Sequence, residues 1–453
     1  MRYHFKHYKF LLLMFDTLIL YISLIVPYYI RVRTFPQIVE YPILFFYIIT
    51  CLLLFIIFDL YNPWSHFSPL PIYYKSLIAF PIIGIVYLFF GFLNWEKNII
   101  FESKLIFLIN IILFTPLFFI ARFYFYHWLK PEKLNVRILV IGGSSIVESF
   151  QREIEYRGGK WKVYYLLDNL KDIPEQNKDQ IIGTIEENFF RVLENEWTAI
   201  ILATKNLDRD KIRTLFKYKE KGVLVYDLIQ FYEYYFFKIP LYSIDDYWFL
   251  STKGFMIIEK PSIIKIKRIL EVLITLSLLF FIIPILPILL VLVYLSDGFP
   301  LIFKQERLGK DNKSFVVYKF RTMKKGSEKL DPYTRENDNR VTKIGKFLRL
   351  TRLDEIPQII NILKGDMSLI GPRAEWIQLT EIYQKEIPFY YYRHLIRPGL
   401  TGWAQVMYPY GASLEDTIQK LEYDLYYIKN YSLLLDFSII IKTVRIMLFG
   451  RGR

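Results

Sequence analysis

The 453-residue chain contains a single cysteine, Cys51, and it lies inside an apolar run. An intrachain disulfide and a cysteine metal cluster are both excluded, and with them zinc-thiolate and dithiol redox chemistry. Negative charge is also in short supply: 44 Asp and Glu face 58 Lys and Arg, a net charge of +14. The N-terminus is basic (Arg2, His4, Lys6, His7, Lys9) and then apolar, yet no A-x-A-type cleavage site follows. The first apolar run is therefore expected to be retained as a span rather than removed as a signal peptide.

What is present is apolar surface in long blocks, with hydrophobic residues making up 53% of the chain. An apolar and basic composition points to a membrane protein that handles anions, either lipid headgroups or phosphorylated substrates. Nucleic acid is not expected as a partner, because the apolar residues cluster in runs. Four such stretches, at about 10–30, 42–60, 76–95 and 103–121, each approach the ~20 residues that cross a bilayer core. They predict a four-helix transmembrane bundle over 1–130. Arg2, Lys6 and Lys9 before it and Arg122, Lys130, Lys133 and Arg137 after it place both ends in the cytoplasm, although Arg31 and Arg33 then fall outside. Asp16 sits at membrane depth in the first stretch.

Over 131–258 short apolar strands alternate with polar, helix-like segments, the pattern of a Rossmann-like α/β domain. Residues 136–141, 163–167, 199–203 and 223–227 read as buried parallel strands. The first runs into Gly142-Gly143-Ser144-Ser145, but a dinucleotide fingerprint would need glycines at 142, 144 and 147, and Ser144 and Val147 stand at two of them. A structural or regulatory domain is expected, with no cofactor site. The last region, 259–453, opens on an apolar segment with Pro284 and Pro287 in mid-run. Interior prolines cost about 3 kcal/mol each. Lys265, Lys267 and Arg268 precede the segment, and Lys304, Arg307 and Lys310 follow it. A re-entrant helix over 265–296 that bends and returns to the cytoplasmic face fits this pattern better than a full span.

Chemistry-bearing residues gather after that segment. Residues 301–350 carry 14 Lys and Arg against 6 Asp and Glu. Within them, 315–323 alternates apolar residues with Lys319 and Arg321, as a strand with one basic face would. Such a face suits a nucleotide diphosphate or an anionic lipid surface equally. In 351–365 the apolar spacing is helical, with Pro357 in the first turn and Gly365 at the end. Asp354 and Glu355 then sit at the helix start, either as plain caps or as a working pair. In the second case one attacks phosphorus while the other holds Mg²⁺ against the diphosphate charge. Gly371-Pro372-Arg373 and the loop beginning at Arg397 each offer a guanidinium suited to phosphate. Residues 423–447 read as an amphipathic membrane-surface segment.

Four strings in order, KQERLGKDNKSFVVYKFRTM (304–323), RLDEIPQIINILKGDMSLIGPRAE (352–375), RPGLTGWAQV (397–406) and YDLYYIKNYSLLLDFSIIIKTV (423–444), resemble the monotopic polyprenyl-phosphate phosphoglycosyl transferases. The spans and α/β domain in front resemble the large form of that family. The resemblance implies a mainly helical catalytic domain anchored by the re-entrant helix. It also implies a ping-pong reaction in which Asp354 is the nucleophile and Glu355 the Mg²⁺ ligand. A UDP-sugar would be the donor, polyprenyl phosphate the acceptor and UMP the leaving group. Arg373, Lys319, Arg321 and Arg397 are the expected phosphate contacts. The setting implied is the cytoplasmic face of a bacterial inner membrane, in contact with membrane lipid, with a homodimer allowed for. Departures from the pattern are Arg352 in place of Ser or Thr, Ala374 in place of a second proline, and Asn339 where the stretch before Arg-Val often reads Asp-Pro. Three rivals are a glycosyltransferase releasing UDP, an NAD-dependent nucleotide-sugar enzyme and a non-enzymatic scaffold.

Overall fold

The computed structural model describes residues 2–36, 41–57, 61, 84, 86–90, 104–128, 136–143, 146–156, 161–169, 179–326, 338–408, 411 and 413–449. The chain divides into two compact units, Met1–Asp227 and Leu228–Arg453.

The first unit begins with helices α1 (Arg2–Val32), α2 (Tyr41–Ile57) and α3 (Lys104–Trp128). Residues Phe10–Val32 of α1 form a helix long and apolar enough to cross a membrane, whereas α2 and Leu105–Ala121 are apolar but shorter. The expected third stretch, 76–95, lies largely outside the described residues, so the described elements do not make a four-helix bundle. Asn110 ties α3 to α1 by donating its Nδ2–H to the Ser23 carbonyl at 3.0 Å. Phe55 packs on Phe114 and Phe118, joining α2 to α3. Asp16 is buried against protein.

A five-stranded sheet follows: β1 (Arg137–Ile141), β2 (Lys162–Leu167), β3 (Ile181–Thr184), β4 (Ala199–Leu202) and β5 (Leu224–Asp227). All pairings are parallel and the order is β3-β2-β1-β4-β5, as in a doubly wound sheet. Helices α4 (Val147–Tyr156), α5 (Ile185–Leu193) and α6 (Arg209–Glu220) intervene. The edge strand β3 had no sequence signal, being four half-buried residues with Gly183 among them. Gly142 after β1 has φ 86°, and a Cβ there would lie 2.5 Å from that of Thr204. Gly143 donates its N–H to Asp168 Oδ2 at 2.8 Å.

The second unit contains helices α7 (Pro261–Ile282) and α8 (Leu286–Asp297), bent by 69° across a short break. Pro284 lies in the break. Pro287 does not: it falls in the first turn of α8, where its missing N–H has no partner to lose. Phe280, Phe281, Ile283, Ile288 and Leu295 are exposed around the bend. Strands β6 (Ile302–Leu308) and β7 (Ser314–Phe320) form an antiparallel hairpin. Next come helix α9 (Lys343–Leu350), a 3-10 segment (Leu353–Gln358) and helix α10 (Ile359–Lys364). Strand β8 (Ser368–Ile370), helix α11 (Ile377–Glu386), strand β9 (Gly399–Thr401) and helices α12 (Leu414–Lys429) and α13 (Leu433–Phe449) complete the unit.

Residues 228–258 belong to this second unit, so the boundary falls at Asp227/Leu228 and not at 258 as expected. Phe255 and Ile257 share a core with Val317, Ile362, Trp403 and Tyr427. The Trp403 indole N–H donates to the Phe237 carbonyl at 2.9 Å. Ile239 N–H donates to the Glu422 carbonyl at 3.0 Å. The expected surface segment 423–447 also divides. Tyr423, Leu425, Tyr427 and Ile428 are core residues at the end of α12, which stops at Asn430. Only α13 turns apolar side chains outward, among them Leu434, Phe437 and Met447.

Candidate active site

Asp354 and Glu355 sit in the first turn of the 3-10 segment, and Arg352 before them adopts a left-handed conformation with φ 59°. The helix proper starts only at Ile359, because Pro357 has no N–H with which to extend regular bonding backwards. Gly365 closes α10 at φ 94°. Both carboxylates are almost wholly enclosed, at 8% and 7% exposure. They are therefore not solvated caps.

Strand β7 lies against this turn, and Asn361 sets its register. Tyr318 donates its N–H to Asn361 Oδ1 at 3.2 Å, and Asn361 Nδ2 donates to the Val316 carbonyl at 2.6 Å. The next residue along, Lys319, places Nζ 2.7 Å from Glu355 Oε1. Arg373 reaches the same oxygen at 3.4 Å. Glu355 is thus held between two cations, as a buried carboxylate requires.

The Gly371-Pro372-Arg373 turn and the Arg397 loop form one structure. Strands β8 and β9 pair in parallel, and Gly371 N–H donates to the Thr401 carbonyl at 2.9 Å. A Cβ on Gly371 would stand 2.5 Å from the Arg397 carbonyl oxygen, so only glycine permits this approach. Among the described residues the half-buried Arg397 guanidinium makes no hydrogen bond or ion pair. Arg321 is placed differently: its guanidinium pairs with Asp297 Oδ2 at 3.2 Å and donates to the Asp297 and Gly298 carbonyls at the end of α8. Glu271 of α7 accepts from Ile370 N–H, next to Gly371, at 3.2 Å and pairs with Lys267 at 2.9 Å. The base of the bent helix pair is thereby tied to β8.

Burial raises the Asp354 carboxyl above its ordinary value. The charge of Glu355 adds to this, and Lys319, Arg349 and Arg352 oppose it without cancelling it. Burial works in the same direction on Glu355, but Lys319, Arg373 and Arg352 outweigh it and hold that carboxyl well below the usual range. Lys319 is lowered by its own burial, against the pull of Glu355. Two adjacent carboxylates pushed apart in this way are suited to different tasks. Asp354 is the more basic of the two, while Glu355 stays anionic. If Asp354 must be ionised to react, the acid limb of kcat/KM lies above the ordinary aspartate range. Arg352→Ser removes a positive charge acting on Asp354, so it moves that limb to higher pH; a pH profile of the two proteins checks the direction.

Among the described residues no three His, Cys, Asp or Glu side chains gather into a metal cage. Asp354 Oδ1, however, is buried without a hydrogen-bond partner. One or two carboxylates suit Mg²⁺, which usually takes its remaining ligands from substrate and solvent.

Residues 263–450 match the family described as bacterial sugar transferase. The exopolysaccharide production protein PSS of Rhizobium leguminosarum bv. phaseoli is 38% identical over 186 residues, 40% of this chain and 93% of that protein. The chain belongs to the bacterial sugar transferase family. A UDP-N-acetylgalactosamine-undecaprenyl-phosphate N-acetylgalactosaminephosphotransferase of Aeromonas hydrophila is 50% identical over 162 residues. A UDP-glucose:undecaprenyl-phosphate glucose-1-phosphate transferase of Escherichia coli K12 is 44% identical over 155. These matches cover 36% and 34% of this chain, and 38% and 33% of those relatives. Every side chain of the carboxylate site lies inside the span matched by the sugar transferase family. Asn361 was missed from sequence although it interrupts an apolar helix run; that interruption was the available signal.

Proposed function

We propose that this sugar transferase moves a sugar-1-phosphate from a UDP-sugar to polyprenyl (undecaprenyl) phosphate, releasing UMP. The observation that carries this reading is the enclosed Asp354–Glu355 pair facing Lys319 and Arg373. An Asp354 carboxylate oxygen attacks the sugar-bearing phosphorus. The phosphoanhydride bond breaks, and UMP departs with the electron pair. The sugar-phosphate is left on Asp354, and an oxygen of polyprenyl phosphate then attacks the same phosphorus and releases the carboxylate. Lys319 and Arg373 orient the donor phosphates and balance their charge. Glu355 would hold Mg²⁺, which when bound supplies further charge neutralisation.

The membrane setting rests on α1 and on the bent pair α7–α8, whose exposed apolar bend suits re-entry into one leaflet. Such a reaction would be the first membrane step of exopolysaccharide, capsule or O-antigen synthesis, on the cytoplasmic face of the inner membrane. The test is the nucleotide released. Purified full-length protein with polyprenyl phosphate, Mg²⁺ and a panel of UDP-sugars is expected to give UMP from at least one of them, and EDTA is expected to stop it. UDP as the product would instead support transfer of the sugar alone.

A further inference from the structure

Arg373 reaches the site from a main chain that other parts of the unit hold in place. The carbonyls of Pro372, Arg373 and Ala374 accept hydrogen bonds from three different donors. Gly399 N–H donates to Pro372 O at 2.8 Å, Arg393 Nη2 to Arg373 O at 3.0 Å, and Arg307 Nη1 to Ala374 O. Arg393 is only 5% exposed. Of the same guanidinium, Nη1 donates to the Tyr390 hydroxyl at 2.5 Å and Nη2 stands 2.9 Å from Asp424 Oδ2, while Nε is buried without a hydrogen-bond partner. Asp424, at 1% exposure, projects from α12 into the core.

Enclosing an arginine and an aspartate takes two charges out of water at a cost of several kcal/mol, and apolar residues of similar volume would serve stability as well or better. The geometry such a pair imposes is therefore the better account of its presence. Here that geometry is the main chain of Arg373. A planar guanidinium with several fixed donors can brace a carbonyl and a carboxylate together, which the single ammonium of lysine does less rigidly. With its backbone held on successive carbonyls, Arg373 projects toward Glu355 from a fixed origin.

We propose that Arg393, locked by Asp424, is a positioning residue for Arg373, setting the backbone from which that guanidinium meets the donor phosphate. The role assigned to Arg373 rests on the function proposed above; the bracing of its backbone does not. Displacing a phosphate-binding group by a fraction of an ångström is costly to rate even when the group itself is retained.

The test uses full-length Arg393→Lys beside wild type, with and without Arg373→Lys. Hydrogen exchange is followed first, over a peptide spanning 371–376 and without substrate. R393K is expected to speed exchange there about tenfold relative to the rest of the unit. It is also expected to lower kcat/KM for the UDP-sugar about tenfold in wild type, yet less than about twofold in Arg373→Lys, because the two act through one group. Unchanged exchange at 371–376, or an equal loss of kcat/KM in both backgrounds, overturns the proposal. Asp424→Asn keeps the shape without the charge; it is expected to show the same pattern more weakly and carries the test should R393K not fold. Faster exchange combined with no UMP release by wild type would strike the transferase reading alone and leave the positioning of Arg373 standing.

Discussion

Asp354→Asn is expected to lower UMP release by at least about 1,000-fold while leaving the fold intact, since removing a nucleophile deletes the reaction path and not just one contact. Asparagine has nearly the same shape as aspartate, and among the described residues Asp354 makes no ion pair. The Lys319–Glu355–Arg373 cluster beside it would remain. Asp354 also lies in the turn ahead of α10, whose core packing through Ile359 and Ile362 is untouched by the change. The measurement is single-turnover UMP release with the thermal melting curve taken in parallel. Loss of UMP without loss of melting temperature assigns the nucleophile. Release within a few-fold of wild type would remove Asp354 from the chemistry and leave the pair as a structural feature.

The second large effect concerns residues 228–258. Cutting the chain before Leu228 should leave a transferase unit that folds in detergent, whereas cutting before Pro261 should give one that does not. The later cut strips Phe255 and Ile257 from the core and removes the carbonyl partner of the Trp403 indole. It also deletes Lys238, which pairs with Glu422 at 2.9 Å with both side chains enclosed. An uncompensated buried carboxylate costs about 3–5 kcal/mol, a large share of the ~5–15 kcal/mol that holds a typical domain. The single substitution Lys238→Met isolates that part. It is expected to destabilise the unit by about 3–5 kcal/mol, and adding Glu422→Leu should recover most of the loss. Denaturant melts of the two fragments, the single variant and the double variant beside wild type decide it; a fully stable fragment starting at Pro261 would show the segment to be dispensable.

Both predictions depend on features that reach the reader of the sequence unequally. The Asp354–Glu355 pair, Arg373 and the glycine-bounded turns were legible because they are local: adjacent residues, a proline and a glycine at set offsets. The sheet strands were legible for a similar reason, as fully buried parallel strands read as continuous apolar runs; only β3, short and half-buried, escaped. Lys319 and Arg321 looked equivalent on one strand. Tertiary contacts separate them, sending the first to Glu355 and the second to Asp297 at the end of α8. Nothing two residues apart on a strand can announce such a difference, because it depends on which distant segment meets each side chain.

The sequence by itself determined the class of the molecule: an apolar, basic chain with long apolar stretches toward its N-terminus, a doubly wound sheet and a carboxylate pair set among cations. Periodicity, charge count and turn chemistry are properties of neighbours along the chain, and the sequence displays them directly. Tertiary structure alone decided the unit boundary at Asp227, the core role of the end of α12, and the enclosed pairs Lys238–Glu422 and Arg393–Asp424. In each of these a charge or an apolar face is matched by a partner far away in the sequence. Burial makes those matches strong, since a charge removed from water must find its counterpart inside the fold.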